Sequence, residues 1–335
     1  MRWLITGGCG FIGSALVRRL LAVDPPPAGG VEAPVDGVVV LDALTYAGRV
    51  DNLEPGLADP RFAWVQGDIT DAGVVARVLE QHHPDVLLNL AAESHVDRSL
   101  TGSSPFLHTN VQGTQVLLEA WNSYGGGRFL QVSTDEVYGS LAEGQQADEA
   151  SPLAPSSPYA ASKAAADLLV LAAVRSWGVD AVITRSCNNL GPRQHPEKLI
   201  PLMIGHALRG RTLPVYGTGS NVRDWISVHD NCEGLLRAAL QGATGRIYNL
   251  GAGQQRNNLQ VVHGVLERLG VSPDLVRHVA DRLGHDQRYA LDSQRAAAEL
   301  DWRATVPFDA ALDLTVRWYL EHRSWWEPLV PEESP

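Results

Sequence analysis

Through roughly the first 185 residues, short apolar runs alternate with stretches that repeat an apolar position every three or four residues. The runs Trp3–Thr6, Val38–Leu41, Phe62–Val65, Val86–Leu90, Phe129–Val132 and Val182–Thr184 are dominated by β-branched and large apolar side chains. Strands apolar on both faces are strands covered by helices on both sides, the environment of a parallel sheet. The intervening stretches predict helices over Phe11–Val23, Ala72–Gln81, Pro105–Tyr124 and Pro158–Trp177. In the first, Ile12, Leu16, Leu20 and Val23 fall on one stripe. The pattern predicts an α/β chain built on a Rossmann-type, doubly wound parallel sheet.

Beyond about residue 187 the alternation loosens. Leu199–Arg209, Asn231–Gln241 and Leu259–Leu269 read as helices with short strands between them, which predicts a smaller C-terminal α/β lobe. The expected division is 1–187 for the sheet domain and 188–325 for mainly the second lobe, with the chain crossing between them. Residues 326–335 are expected as a polar, proline-bearing tail. Pro25–Pro34 (PPPAGGVEAP) is a surface loop between the first helix and the second strand.

A chain of 335 residues can bury a sizeable core. Its 44% apolar and 19% charged content is that of a globular enzyme. The net charge of −11, with no basic block, argues against nucleic acid as a partner. No apolar run approaches the roughly 20 residues that cross a bilayer, and MRWLITGG runs straight into a strand, so neither a membrane span nor a secretory leader is expected. Cys9, Cys187 and Cys232 are too sparse and too separated for a disulfide framework. They predict reduced thiols in a cytoplasmic protein, and no metal is expected.

Candidate chemistry begins at the first strand. Gly7, Gly10 and Gly13 form G-x-x-G-x-x-G between that strand and the following helix, where free N–H groups and the helix dipole favour a pyrophosphate. Asp42 ends the second strand, in place to accept hydrogen bonds from an adenosine ribose and to repel a 2′-phosphate. This predicts NAD over NADP. Asp68, ending the third strand, is placed to meet the adenine.

Ser133-Thr134-Asp135-Glu136-Val137-Tyr138-Gly139 follows the fifth strand, and Tyr159-Ala160-Ala161-Ser162-Lys163 opens the next helix. Tyr159 and Lys163 are one helical turn apart and share a face. A lysine ammonium beside a phenol lowers the phenol's pKa and makes it a base for an alcohol proton, and Thr134 can bind the same oxygen. Alcohol oxidation needs no more than these three. Asp135 and Glu136 supply an additional acid and base, which divide into roles when their surroundings differ. They predict a second act coupled to hydride transfer, elimination of water.

TGGCGFIG, DALTYAGRVDNL at 42–53, GDI at 67–69, NLAAESHVDRS at 89–99, STDEVYG at 133–139, YAASK at 159–163, CNNLGPRQHPEKLIP at 187–201, VYGTGSNVRDW at 215–225 and GHDQRYALD at 284–292 together resemble the extended short-chain dehydrogenase/reductase family. More narrowly, they resemble its dTDP-glucose 4,6-dehydratases, over about residues 1–320. Epimerases of this fold usually have a Ser-Ser or Ser-Ala type of sequence where Thr134-Asp135-Glu136 stands, and dehydratases acting on CDP-glucose or on UDP-N-acetylglucosamine tend to carry Lys at position 136.

The resemblance implies that Tyr159 and Thr134 serve the sugar 4-hydroxyl, Glu136 the C5 proton and Asp135 the departing 6-hydroxyl, with NAD regenerated. It implies an NAD site that also includes Phe11, Ile12, Ala43, Leu44, Thr45, Ile69, Leu90, Ala91, Ala92, Ser94, Thr109, Tyr159, Lys163 and Asn189. It implies a nucleotide-sugar site of Ser94, Thr134, Asn188, Lys198, Leu199, Pro214, Tyr216, Arg223, Asn258, His285 and Tyr289. Lys198 and Arg223 suit a diphosphate on charge grounds. The family usually has an aromatic where Leu190 stands and often Tyr where Arg193 stands. The resemblance also implies a homodimer through the helices Pro105–Tyr124 and Pro158–Trp177. Alternatives are a UDP-glucose 4,6-dehydratase with the same Thr-Asp-Glu set, a 4-epimerase that would leave Asp135 and Glu136 idle, and a non-catalytic NAD-sensing protein.

Overall fold

In the computed structural model, which describes residues 1–27 and 29–330, six strands of the first half lie in one parallel sheet. They are β1 (Arg2–Thr6), β2 (Gly37–Asp42), β3 (Phe62–Gln66), β4 (Val86–Asn89), β5 (Arg128–Thr134) and β6 (Ala181–Ser186). The second half supplies β7 (Asn188–Leu190), β8 (Leu213–Tyr216), β9 (Val222–Ser227), β10 (Ile247–Leu250), β11 (Gln255–Asn257) and β12 (Val276–Val279). The large sheet has the order β10-β6-β5-β4-β1-β2-β3. Strand order reverses between β1 and β4, which opens a crevice at the carboxyl ends of those strands.

The expected Rossmann-type sheet is present, with one addition from outside the residues that predicted it. β10 joins as the seventh strand, parallel to β6 with Ile247 opposite Ile183. The helix Val228–Gln241 returns with it and buries Cys232, Leu235, Leu236 and Ala239 against the same core as β1 and β2. A second core, built on Leu4, Val39, Leu87, Trp121, Phe129 and Val170, fills the other face of the sheet. The smaller lobe has its own core around Ile200, Met203, Trp225, Val262, Leu312 and Tyr319, beside the small sheets β11-β9-β7 and β12-β8.

Local chemistry explains the boundaries. The helix Pro158–Trp177 begins on Ser157, whose hydroxyl accepts from the Ala160 N–H, has Pro at its first turn and stops at Gly178 with φ 73°. The stretch 105–124 is one continuous helix, as the pattern predicts, but it is not α-helical throughout. Ser104–Phe106 passes into a π-helical segment, Leu107–Gly113, before the α-helix Thr114–Tyr124. A Cβ on Gly113 would meet the Ile69 side chain at 2.5 Å, so the helix packs closely there on the segment that follows β3.

The expected tail also needs correction. Trp326 is fully buried, Val330 is 4% exposed, and both belong to the second-lobe core. A large indole and a valine in reach of an apolar core are worth more packed than solvated. Residues 331–335 of that expectation lie outside the described residues. Among the described residues, no helix is long and apolar enough to cross a membrane.

Candidate active site

β5 is longer than its neighbour β4. Asn89, the last residue of β4, pairs with Gln131, so Val132, Ser133 and Thr134 run on past it into the crevice. A buried polar chain fixes this register. The Thr6 hydroxyl donates to Asn89 Oδ1 at 2.7 Å, and Asn89 Nδ2 donates to Gln131 Oε1 at 2.9 Å. The chain then turns through a single 3₁₀ turn, Asp135–Tyr138, capped by the Thr134 hydroxyl, which accepts from the Glu136 N–H at 3.2 Å. The two carboxylates are thereby held at the carboxyl end of a central strand.

One cleft of about 370 Å³ runs from the glycine loop to this turn. Thr134, Asp135, Glu136, Tyr159 and Lys163 all line it. So do Gly7, Gly10, Phe11, Ile12, Gly13, Asp42, Ala43, Thr45, Asp68, Ile69, Leu90, Ala91, Ala92, Ser94, Thr109 and Asn189. Leu44 does not. It has φ 52° and donates its N–H to Asp42 Oδ1, so it shapes the loop that carries Thr45. Of the expected nucleotide-sugar residues, Ser94, Asn188, Lys198 and Leu199 line the cleft. Pro214, Tyr216, Arg223, Asn258, His285 and Tyr289 lie outside it, on the second lobe.

Several of those outer residues form a connected group. Arg223 lies over the Tyr289 ring at 4.2 Å and donates to the Asp286 carbonyl, and the Tyr289 hydroxyl donates to the Asp286 carboxylate at 2.7 Å. Tyr216 donates to Asp97, which also accepts from Arg282 at 2.9 Å, so a carboxylate of the sheet domain is tied to the second lobe. The Arg223 charge reaches both Asp135 and Glu136 and pulls their pKa values down against burial.

The two carboxylates have unequal surroundings. Asp135 is 3% exposed, and burial followed by the neighbouring Glu136 charge raises its pKa well above the ordinary carboxylate range. Its Oδ2 has no hydrogen-bond partner among the described residues. Burial also raises Glu136, but Arg282, Arg223 and Lys198 oppose that. Asp135 is thus suited to hold a proton and Glu136 to accept one.

The expected effect of Lys163 on Tyr159 is not what the structure shows. The Tyr159 phenol is pushed up, first by burial and then by the Glu136 charge, while a hydrogen bond with Thr134 works the other way. The Lys163 ammonium donates instead to the Val132 carbonyl at 2.6 Å, and burial lowers its own pKa to about 8.

A second set of side chains was not foreseen. Glu197 accepts from the Tyr46 hydroxyl at 3.0 Å and lies 3.5 Å from Arg98, 3.6 Å from His95 and 3.8 Å from His195. Its neighbour Lys198 donates to the Ser94 carbonyl at 2.7 Å. The contacts join three segments distant in sequence. The one sequence signal was the acidic residue beside Lys198 in HPEK.

The glycine loop suits a dinucleotide pyrophosphate. The helix Phe11–Leu20 begins at Gly10 with no side-chain cap, so its first N–H groups remain available. A Cβ on Gly13 would meet the Gly7 carbonyl at 2.2 Å, and one on Gly7 would meet the Ala91 backbone, so the loop closes only with glycine at both. Asp42 accepts from the Cys9 and Leu44 N–H groups, each at 2.8 Å, which holds it beside the loop with lone pairs left for a ribose.

The profile of the family described as GDP-mannose 4,6 dehydratase matches residues 4–315. A dTDP-glucose 4,6-dehydratase of Actinoplanes sp. is 48% identical over 326 residues, which is 97% of this chain and all of that protein. The crystal structure of the dTDP-glucose 4,6-dehydratase DesIV from Streptomyces venezuelae, solved with NAD bound, superposes with a TM-score of 0.94 at 52% identity. It covers 98% of this chain and 100% of that one. A UDP-glucose 4-epimerase from Thermotoga maritima also superposes, with a TM-score of 0.86 at 28% identity over 96% of this chain and 99% of that one. Fold alone therefore does not separate the two reactions, and the acid and base residues must.

Proposed function

Since this chain belongs to the dTDP-glucose 4,6-dehydratases of the extended short-chain dehydrogenase/reductase family, we infer that it converts dTDP-glucose to dTDP-4-keto-6-deoxyglucose and water. The observation that carries this is the unequal pair at the end of β5. Asp135, whose pKa burial and the Glu136 charge raise well above the ordinary range, and Glu136, where three cations oppose the effect of burial, line one cleft with Tyr159 and Thr134. An epimerase has no use for either carboxylate.

The residues divide the work as follows. Tyr159 takes the proton of the sugar 4-hydroxyl, and Thr134 holds that oxygen. Bound NAD supplies the hydride acceptor for C4 and the hydride donor for C6, so it is regenerated. The ketone formed at C4 acidifies the C5 proton, which Glu136 removes. Asp135 gives its proton to the 6-hydroxyl, and water leaves across C5–C6. Glu136 then returns the proton to C5. Lys163 holds Tyr159 and the end of β5 in place through the Val132 carbonyl. Lys198 and Arg223 supply the positive charge for the diphosphate, and Tyr216, His285, Tyr289, Asn258 and Pro214 hold the rest of the nucleotide sugar.

The test is to incubate the purified protein with dTDP-, UDP- and CDP-glucose in parallel. The dTDP sugar should give the 4-keto-6-deoxy product, seen by its ultraviolet absorbance in base, with no net reduced cofactor. Formation of the 4-epimer without the ketone overturns the dehydratase reading, and faster turnover of UDP-glucose overturns the choice of base.

The chain works as a homodimer in this reading. Leu168 is 57% exposed on the helix Pro158–Trp177, in line with Ala161 and Ala172, and Leu107 is 52% exposed on the neighbouring π-helical segment. The three cysteines are unpaired and buried, as suits a reducing cytoplasm.

A further inference from the structure

The last two helices do more than close the second core. Phe308–Glu321 and Arg323–Trp326 carry Trp318, Tyr319, His322, Trp325 and Trp326 in one aromatic cluster, with Trp318 and Trp325 edge to face at 5.0 Å. Two polar groups leave this cluster toward the cleft. Trp325 Nε1 donates to Asn52 Oδ1 at 3.0 Å. Asn52, 1% exposed, donates through Nδ2 to the Cys9 carbonyl at 2.9 Å, and the Cys9 N–H donates to Asp42 Oδ2 at 2.8 Å. On the other side the Tyr319 hydroxyl donates to the Gln194 carbonyl, and Gln194 Nε2 donates to the Asn189 carbonyl at 3.0 Å. Gln194 and Asn189 both line the cleft.

We propose that Trp325 is a positioning residue for the dinucleotide site, acting through Asn52 on the glycine loop and Asp42, while Tyr319 sets the opposite wall through Gln194. Cys9 lies between Gly7 and Gly10, and Asp42 is the carboxylate placed for the adenosine ribose. An unbroken run of three hydrogen bonds therefore links the C-terminal segment to both parts of the NAD site. Asn52 is too deeply buried to replace a lost partner with bulk water, so removing the indole N–H leaves its carbonyl unmatched and loosens the orientation of its amide. Trp325 itself is half-exposed and can change without opening the core. Arg49, stacked at 5.4 Å over its ring, keeps the indole on the loop side.

Trp325→Phe keeps an aromatic six-membered ring at the position and deletes the donor. Cofactor-stripped wild type and variant would be titrated with NADH, following nucleotide fluorescence, alongside thermal melting and steady-state kinetics at saturating NAD. The variant should bind NADH about tenfold more weakly, the size expected for one buried neutral hydrogen bond. Its KM for dTDP-glucose at saturating NAD should stay as in wild type, and its melting temperature should fall by no more than about 2–6 °C, the cost of one unmatched buried carbonyl. Tyr319→Phe, which acts through Gln194 on Asn189, should also weaken NADH binding, with KM for dTDP-glucose at saturating NAD kept. Wild-type NADH affinity in Trp325→Phe overturns the proposal, and so does a loss of affinity that only tracks a larger fall in melting temperature. The inference rests on the glycine loop being the NAD site. Failure of that reading would be seen separately, as wild type that binds no NADH.

Discussion

Lys163 and Tyr159 share one face of a helix, yet the Lys163 ammonium makes its hydrogen bond to the carbonyl of Val132, 2.6 Å away in β5. The lysine thus ties the helix bearing Tyr159 to the strand bearing Thr134. Its charge is also sensitive to pH, because burial brings its pKa down to about 8. Below that value it is an ammonium and holds the carbonyl. Above it the lysine is neutral, and the tie and its field weaken together.

The rate should follow that titration. In a kcat/KM profile from pH 6 to 10, wild type should lose activity as pH rises through about 8. Lys163→Met should be slower by about two orders of magnitude and should lack that basic limb. A limb of the same midpoint in the variant would assign it to another group.

Glu136→Gln separates oxidation from elimination. The amide keeps the size of the side chain but cannot take the C5 proton. C4 oxidation should persist, so a single turnover should accumulate reduced nicotinamide, while water loss slows by about 10²- to 10⁴-fold. Stopped-flow absorbance of the reduced cofactor checks this. Full turnover in the variant would remove Glu136 from the C5 step.

Much of the sheet domain was legible because its strands are buried on both faces and its helices carry caps. The helix Pro158–Trp177 has Ser157, Pro158 and Gly178 written at its ends. β10 was not legible. Its four residues resemble other short apolar runs, and its place beside β6 depends on the helix Val228–Gln241 carrying the chain back. The π-helical segment Leu107–Gly113 was not legible either, because apolar periodicity does not separate it from α-helix. In the site, the motifs located Thr134, Asp135, Glu136, Tyr159 and Lys163. The partner of Lys163 escaped because a backbone carbonyl leaves no mark in a side-chain motif. The Asp97–Arg282 and Tyr46–Glu197 contacts escaped because each joins segments far apart in the chain.

The exposed stripe on the helix Pro158–Trp177 makes its own prediction. Leu168, 57% exposed in line with exposed Ala161 and Ala172, gives this helix a face of small and apolar side chains that a second copy can cover. Leu168→Glu should convert a dimer to a monomer in light scattering or sedimentation without loss of helical content. A wild-type protein that sediments as a monomer at micromolar concentration would refute the assembly, and so would a dimer in the variant.

Asp135 predicts a conflict between catalysis and stability. Burial and the adjacent Glu136 charge raise its pKa in the fold, whereas in the unfolded chain it titrates near 4. Between those two values the folded state binds more protons than the unfolded one, so this group makes stability fall as pH rises. Asp135→Asn removes the titration, leaving whatever constant cost or gain the amide brings. The stability of the variant relative to wild type should therefore rise from pH 5 to pH 8, the direction that a raised folded-state pKa dictates. Denaturant unfolding at both pH values measures it, and the comparison between them cancels the constant contribution of the amide. The same variant should lose water elimination, because an amide has no proton to give the 6-hydroxyl. A difference that is flat or falls with pH would mean that Asp135 is ionised in the fold and cannot be the acid.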